Sequence, residues 1–241
     1  MKLLVIGRGK MGRLIRETAE AAGDQVEAML GRDDLEQLGK LGRVADVVID
    51  FSRPEALAEI CAYVRRTGTP LLSGTTGYTP DQLARLRGLG EAAPVLWSAN
   101  YSLGVAVLYR ALRQVSDVLK PDFDVELTET HHNQKADAPS GTAKLLLDAI
   151  VEAEPEAGYH PVYGREGMCG ARDPKEIGMH SLRGGTVAGV HEVSFFGQDE
   201  EVTLTHRATS RQIFVNGALA AAQKLVTHEP GFYTFDQIMF A

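Results

Sequence analysis

The chain has 241 residues, 44% of them hydrophobic and 24% charged, with a formal net charge of -7. That is ordinary globular composition, long enough for one large or two modest domains whose cores need no disulfide or metal staple. The acidic balance argues against a nucleic-acid binder, and no stretch approaches the roughly 18 apolar residues of a membrane span.

In chain order, the apolar run at 3–6 predicts a strand ending at Gly7. A helix-period segment follows, with Met11, Leu14, Ile15, Thr18 and Ala22 on one side. Residues 26–30 and the run DVVID at 46–50 predict two more strands, the latter of the kind buried in a parallel sheet. Ser52, Arg53 and Pro54 open a helix that turns Leu57, Ile60, Cys61 and Val64 inward. Strands at 69–72 and 94–97 flank a helix that begins at Thr79-Pro80 and carries Leu83 and Leu86. Strands alternating with helices predict an α/β fold, a Rossmann-type doubly wound parallel sheet that takes ligands at the carboxyl ends of its strands.

The pattern changes after Ser102. A helix is expected at 103–119, stopped by Pro121, then a strand at 123–130. The next helix starts near Gly141 and turns Ala143, Leu146, Leu147 and Ile150 inward. Residues 154–180, rich in glycine, proline and charge, read as a long loop. Strands at 181–183, 189–196 and 201–207 suggest an antiparallel or mixed sheet. A last helix at about 211–226 has Phe214, Ala218, Leu219 and Leu225 inward. The expected division is 1–102 plus about 213–241 as a dinucleotide-binding domain. Residues 103–212 then form an α+β substrate and oligomerisation domain with an open mixed sheet.

Gly7, Arg8, Gly9, Lys10, Met11 and Gly12 form a GxGxxG between a predicted strand and a predicted helix, the context a dinucleotide fingerprint requires. Its glycines allow the tight turn, the approach of the pyrophosphate, and close helix packing. After the second strand, where an NAD site places an acid on the ribose, the chain reads Gly31, Arg32, Asp33, Asp34. Arg32 can accept a 2′-phosphate, which favours NADPH; Asp33 reaching the hydroxyl would favour NADH. The runs Gly74, Thr75, Thr76 and Ser98, Ala99, Asn100, Tyr101 lie at predicted strand ends and can border the nicotinamide half of the cofactor.

The densest chemistry is HHNQKADAPSGTA at 131–143. Ser140, Gly141 and Thr142 open a helix whose amides and hydroxyls make an anion cradle suited to a carboxylate. His132 and Lys135 add positive charge. His131 and Lys135 can exchange the proton that a hydride acceptor needs. Adjacent histidines on a strand face opposite ways, so His131 and His132 rarely share a metal, and no metal is expected. Structural histidines bonded to backbone carbonyls remain open on spacing alone. Cys61 and Cys169 have no partner motif and read as free thiols. The apolar run at the start lacks a signal peptide's longer core and cleavage site, so a cytoplasmic location is expected.

VELTETHHNQKADAPSGTA, with GRGKMG, DFSRPE, SGTTG, SANYSLG and SLRGGTVAGVHEVSFFGQDEEVTLTHRATSR, resembles the dihydrodipicolinate reductase family along nearly the whole chain. The resemblance implies reduction of a cyclic, unsaturated dicarboxylate by NADPH or NADH in the diaminopimelate/lysine pathway. It implies His131 as proton donor or acceptor and Lys135 as proton donor, with His132, Gly141 and Thr142 on the substrate carboxylates. It places the cofactor on residues 7–12, 74–76 and 98–101, and implies a homotetramer built through the open sheet. Relatives that use NADH well can carry an acid where Gly31 stands. Two rivals remain. A semialdehyde dehydrogenase needs a poised cysteine, which neither Cys61 nor Cys169 resembles; a non-catalytic dinucleotide sensor needs no histidine-lysine pair.

Overall fold

The run KLLVI forms β1 (Lys2–Ile6), with Leu3, Leu4, Val5 and Ile6 all buried, as a strand inside a parallel sheet requires. The computed structural model describes residues 1–120 and 122–240. The chain divides into two units, Met1–Leu103 with Gln212–Ala241, and Gly104–Arg211.

In the first unit β1 is followed by α1 (Lys10–Ala21), which buries Gly12, Ile15 and Ala19. Ala22, expected on that inner face, is instead the exposed residue that ends the helix. Next come β2 (Gln25–Leu30), β3 (Val47–Asp50), α2 (Leu57–Thr67), β4 (Leu71–Ser73), α3 (Pro80–Gly88) and β5 (Pro94–Trp97). α2 buries Leu57, Ile60, Cys61 and Val64 as the spacing predicts. α3 starts on a reciprocal cap: Thr79 Oγ1 accepts from the Gln82 amide at 3.2 Å, and Gln82 Oε1 accepts from the Thr79 amide at 2.9 Å.

α4 (Leu103–Leu119) then leads into the second unit, burying Val105, Leu108 and Leu112. The stop expected at Pro121 lies outside the described residues. The unit continues with β6 (Asp124–His131), α5 (Gly141–Glu152), β7 (His160–Val162), β8 (Glu176–Arg183), β9 (Gly189–Phe196) and β10 (Glu201–Ala208). Its sheet runs β10-β9-β6-β8-β7; β9 is antiparallel to β10 and β6, while β6, β8 and β7 are parallel. Leu108, Leu112, Val125, Leu127, Leu146, Ile150, Val193 and Phe195 share one core, each worth about 1.5–3 kcal/mol when fully buried.

The long loop expected at 154–180 is interrupted twice, by β7 and by the first residues of β8. Their composition carries no strand signal. Pairing with β6 and burial of Ile177 and Met179 decide the matter, a tertiary override of local preference.

α6 (Gln212–Leu225), β11 (Gly231–Tyr233) and α7 (Phe235–Phe240) return to the first unit. α6 buries Ala218, Leu219 and Leu225 as expected, but Val215 and Gly217 take the inner place given to the half-buried Phe214. Gln212 Nε2 donates to Thr18 Oγ1 of α1 at 2.9 Å. β11 completes a six-stranded sheet in the order β11-β5-β4-β3-β1-β2, parallel throughout. The architecture is the α/β fold with a parallel sheet and a second mixed sheet that the alternation of elements predicts. The chain crosses from β2 to β3 over β1, so the strand order reverses between β1 and β3, where such sheets bind ligands. No helix among the described residues is long and apolar enough to cross a membrane.

Candidate functional site

At the end of β1 the glycine run has the shape its spacing predicts. Gly7 takes φ +112°, a conformation that side chains rarely adopt, and its amide donates to Leu30 O at 2.8 Å. A Cβ on Gly12 would stand 1.8 Å from Gly7 O, so only glycine lets α1 sit this close to the loop. Gly9 is the N-terminal boundary residue of α1 with no side-chain cap, and Lys10 and Met11 form the first turn. Free first-turn amides thus stand at the favourable end of the α1 dipole, an arrangement that suits an anion.

The end of β2 carries a contact beyond the two residues that the sequence offers, Arg32 and Asp33. Arg8 reaches back across it: Nε and Nη2 donate to Met29 O at 3.2 and 3.1 Å, and the guanidinium pairs with Asp34. Asp34 Oδ1 also accepts from the Gly31 amide at 2.6 Å. A Cβ on Gly31 would meet the Arg8 side chain at 3.1 Å. Arg32 and Asp33 are exposed at the start of a 3₁₀ turn. Of the two acids at this strand end, Asp34 is held by Arg8 and the Gly31 amide.

Residues 74–76 and 98–101 follow β4 and β5 in the same sheet. A carboxylate outside the expected site residues organises the first of them. Asp50, at the end of β3, is 1% exposed. Ser73 Oγ donates to its Oδ2 at 2.8 Å, Tyr78 Oη donates at 3.2 Å, and the Ser52 amide donates to Oδ1 at 3.0 Å. Burial raises the Asp50 carboxyl above its ordinary range, against the pull of its hydrogen bonds from Ser52, Ser73 and Thr75. Thr75 is buried, its Oγ1 accepting from the Ser52 amide at 3.0 Å and its carbonyl from Trp97 Nε1 at 2.9 Å. Thr76 is exposed. Ser98 Oγ donates to Asn100 O at 2.6 Å, closing the tight turn around Ala99. Tyr101 is 2% exposed; its ring packs on Phe51 and Phe235 and its hydroxyl donates to Ser73 O at 2.7 Å. Its side chain braces the turn, so what it offers a ligand is backbone.

In the second unit, alternation along β6 puts Val125, Leu127, Glu129 and His131 on the buried face. The first two belong to the core and the last two are polar, so the face changes chemistry toward the carboxyl end of the strand. Glu129 has no exposed surface. Its Oε2 meets His131 Nδ1, and its two oxygens accept from Arg183 Nη1 at 3.0 Å and Nη2 at 2.8 Å. Its Oε1 accepts from the Ser140 amide at 3.2 Å. Ser140 caps α5, accepting from the Ala143 amide at 3.1 Å, and its Oγ lies 3.0 Å from His191 Nε2. The His131 and His191 rings meet edge to face at 5.2 Å. Arg183 Nη2 also donates to Asp137 O at 2.7 Å, and Lys135 Nζ donates to Asp137 Oδ1 at 2.8 Å. The structure thus links His131, Lys135 and Ser140 through Glu129, Arg183, Asp137 and His191, with Gly141 and Thr142 in the first turn of the same helix. His132 follows β6 and is half-buried.

Charge follows from these contacts. Burial pushes Glu129 upward, but hydrogen bonds from Arg183, Ser181 and His131 outweigh it and hold the carboxyl down to about 2. Burial lowers His131, against the opposing pull of Glu129. Burial and the neighbouring His131 lower His191 to about 4. Near pH 7 Glu129 is ionised and both imidazoles are neutral.

These shifts set an acid response. Between about pH 6.5 and 4 the unfolded chain takes a proton at His191 that the folded chain refuses, so stability falls as pH falls through that window. The loss amounts to about 3 kcal/mol. A second loss, from Glu129, follows as pH drops from about 4.5 toward 2. Urea unfolding at a series of pH values should show both in the wild type and a flatter profile between pH 6.5 and 4 in His191→Gln; an unchanged slope in that variant would contradict the assignment.

Comparison with known proteins agrees with this geometry. Residues 1–101 match the family described as "Dihydrodipicolinate reductase, N-terminus" and residues 104–239 match "Dihydrodipicolinate reductase, C-terminus". The chain is 41% identical to a 4-hydroxy-tetrahydrodipicolinate reductase of an Exiguobacterium species over 99% of this chain and 95% of that one. It is 42% identical to the enzyme of the same name from Staphylococcus aureus strain JH9, over 99% of this chain and all of the other. Among solved structures, a dipicolinate-bound dihydrodipicolinate reductase from a Paenisporosarcina species shares the fold, with a TM-score of 0.79, 24% identity and 99% of both chains covered. A glycine cradle on a parallel sheet, an imidazole and an ammonium around a capped helix start, and matches along both parts lead to one assignment: the chain belongs to the dihydrodipicolinate reductase family.

Proposed function

We infer that this chain, an NAD(P)H-dependent reductase by family, reduces its cyclic dicarboxylate at the cluster around the start of α5. The observation that carries the reading is the linkage of His131, Lys135 and the Ser140 cap through one buried carboxylate, Glu129. The first-turn amides of α5 at Gly141 and Thr142, with the Thr142 hydroxyl and the His132 imidazole, suit a substrate carboxylate. The Paenisporosarcina relative holds dipicolinate, a planar dicarboxylate, which supports that ligand class. Gly7, Arg8, Gly9, Lys10, Met11 and Gly12 would hold the cofactor's pyrophosphate and its adenosine end. Residues 74–76 and 98–101 would border its nicotinamide half.

The reduced nicotinamide supplies the hydride. The residues of this chain supply binding and the proton. Lys135, a cation, gives a proton to the ring as charge develops, and regains it from water. His131, neutral with its Nδ1–H donated to Glu129, offers a bare Nε2 that can carry a proton from water to the site, with no net change in its own charge over the cycle. Addition of one hydride and one proton completes the reduction. The test is cofactor absorbance at 340 nm: steady oxidation that depends on added cyclic dicarboxylate supports the reading, and cofactor binding without oxidation favours a sensor.

The finer cofactor preference follows from Arg8. Asp34 is engaged by Arg8 and by the Gly31 amide, so a ribose at the end of β2 would meet a half-exposed guanidinium rather than an open carboxylate. With Lys10 and Arg32 close in sequence, this suits a 2′-phosphate and favours NADPH. Arg8→Ala is expected to raise KM for NADPH about 10-fold while changing that for NADH little; Arg32→Ala tests the residue that sequence alone pointed to. Equal effects on both cofactors would contradict the preference. Assembly as a homotetramer through the second sheet, and action in the cytoplasm, complete the proposal. Light scattering should give a mass four times that of the chain.

A further inference from the structure

We propose that Glu129 is the positioning residue of this site: its carboxylate fixes His131 in the tautomer with hydrogen on Nδ1 and ties that ring to the start of α5. The proposal rests on the reading of His131 as a proton-transfer group.

Glu129 lies on the core face of β6, two residues before His131, in line with Val125 and Leu127. An aliphatic side chain would suit that face. The carboxylate is instead fully buried and meets the His131 ring, both terminal nitrogens of Arg183, the Ser140 amide and the Ser181 side chain. Its partners keep the carboxylate charged, but a buried ion pair is no more stabilising than the apolar packing that could replace it, so stability alone does not explain such a group. Position does. The carboxylate is ionised and can only accept, so Nδ1 of His131 must donate. In the neutral ring Nε2 is then the bare nitrogen, so any proton that His131 exchanges during turnover is one carried at Nε2. The Nδ1 proton stays with Glu129.

The surroundings of Nε2 agree. Gly189, at the start of β9, has no side chain there; a Cβ would stand 3.1 Å from Nε2. Arg183 belongs to the same device. It neutralises Glu129 and, through Asp137 O, anchors the turn that carries Lys135. The charged and titratable groups facing His131 are Glu129 on its own strand, Arg183 on β8, His191 on β9 with His206 on β10 beyond it, and Lys135 and Asp137 on the following turn. α5 meets the cluster through uncharged Ser140. Of these, Glu129 is the group bonded to Nδ1 and the one that favours the protonated ring most.

The test uses the full-length protein with Glu129→Gln and His131→Gln. In the wild type above pH 7, ¹⁵N spectra should show His131 with a protonated Nδ1 and a bare Nε2. Glu129→Gln should lose that single tautomer and move the titration of His131 to lower pH. Its kcat should fall about 100-fold, with KM for the dicarboxylate within about threefold. Glu129→Asp, which keeps the charge, should recover part of the loss. Because Glu129→Gln leaves the half-buried Arg183 guanidinium without its counter-charge, the pair Glu129→Gln/Arg183→Met gives a second measurement, and it too should lose the tautomer. A wild-type tautomer and pH profile in the folded Glu129 variants would overturn the proposal. So would normal kcat in Glu129→Gln beside a slow His131→Gln, which would leave the reading of His131 standing. Near-normal turnover in His131→Gln would instead remove His131 from the chemistry, and Glu129's catalytic consequence with it.

Discussion

Lys135→Ala is expected to lower kcat by about 10²–10⁴-fold, the usual contribution of a positioned general acid, with little change in affinity for NADPH. The ammonium is held at 2.8 Å by Asp137, whose own carbonyl is anchored by Arg183, so the donor sits on a turn fixed to β8. The Lys135–Asp137 pair is partly solvated, with 61% of the Asp137 side chain exposed, and its removal should cost no more than about 1 kcal/mol of stability. A slow variant would therefore be a folded one, as circular dichroism can confirm. Lys135→Arg should not restore the rate, because a guanidinium keeps its charge and does not release a proton near neutral pH. Turnover of Lys135→Ala close to wild type would remove Lys135 from the role of proton donor.

Gly12→Ala should produce the largest effect in the first unit. The added Cβ would lie 1.8 Å from the Gly7 oxygen and 2.9 Å from the Gly7 carbonyl carbon. Both are backbone atoms beside a residue at φ +112°, and neither can swing aside as a side chain would. The helix must move off the loop, carrying the first-turn amides away from the phosphates. We expect about 3 kcal/mol of destabilisation and at least about 10-fold weaker NADPH binding, read by urea unfolding and by titration of cofactor fluorescence. Wild-type stability and affinity in this variant would contradict the close packing of α1 on β1.

Much of this was legible in the residues. The apolar runs before Gly7 and at 46–50, alternating with helix-period segments, give the parallel sheet; PSGT before an amphipathic run gives the α5 cap. The places that escaped have physical reasons. β7 and β11 are three residues long and exist because neighbouring strands pair with them, not because their sequences prefer the extended state. Arg183 lies 54 positions from Glu129, and no local pattern announces a pairing set by strand register. Glu129 itself left a signal: alternation through Val125, Leu127 and His131 already puts it on the buried face, where a lone carboxylate calls for a partner. Asp50 left a similar one, at the end of an apolar run whose other members are wholly buried. The glycine spacing puts Arg8 in the phosphate loop, and only the fold shows it reaching back to the end of β2.

A dicarboxylate is expected to dock on the start of α5 with Lys135 and His131 aimed at the reacting ring. A crystal structure of this chain with NADPH and dipicolinate, a dicarboxylate that does not react, tests it most directly. A carboxylate on the Gly141 and Thr142 amides is predicted, with Lys135 Nζ in hydrogen-bond reach of the ring or its substituents and His131 Nδ1 still on Glu129. Dipicolinate bound elsewhere, or Lys135 turned to solvent with both ligands in place, would contradict it.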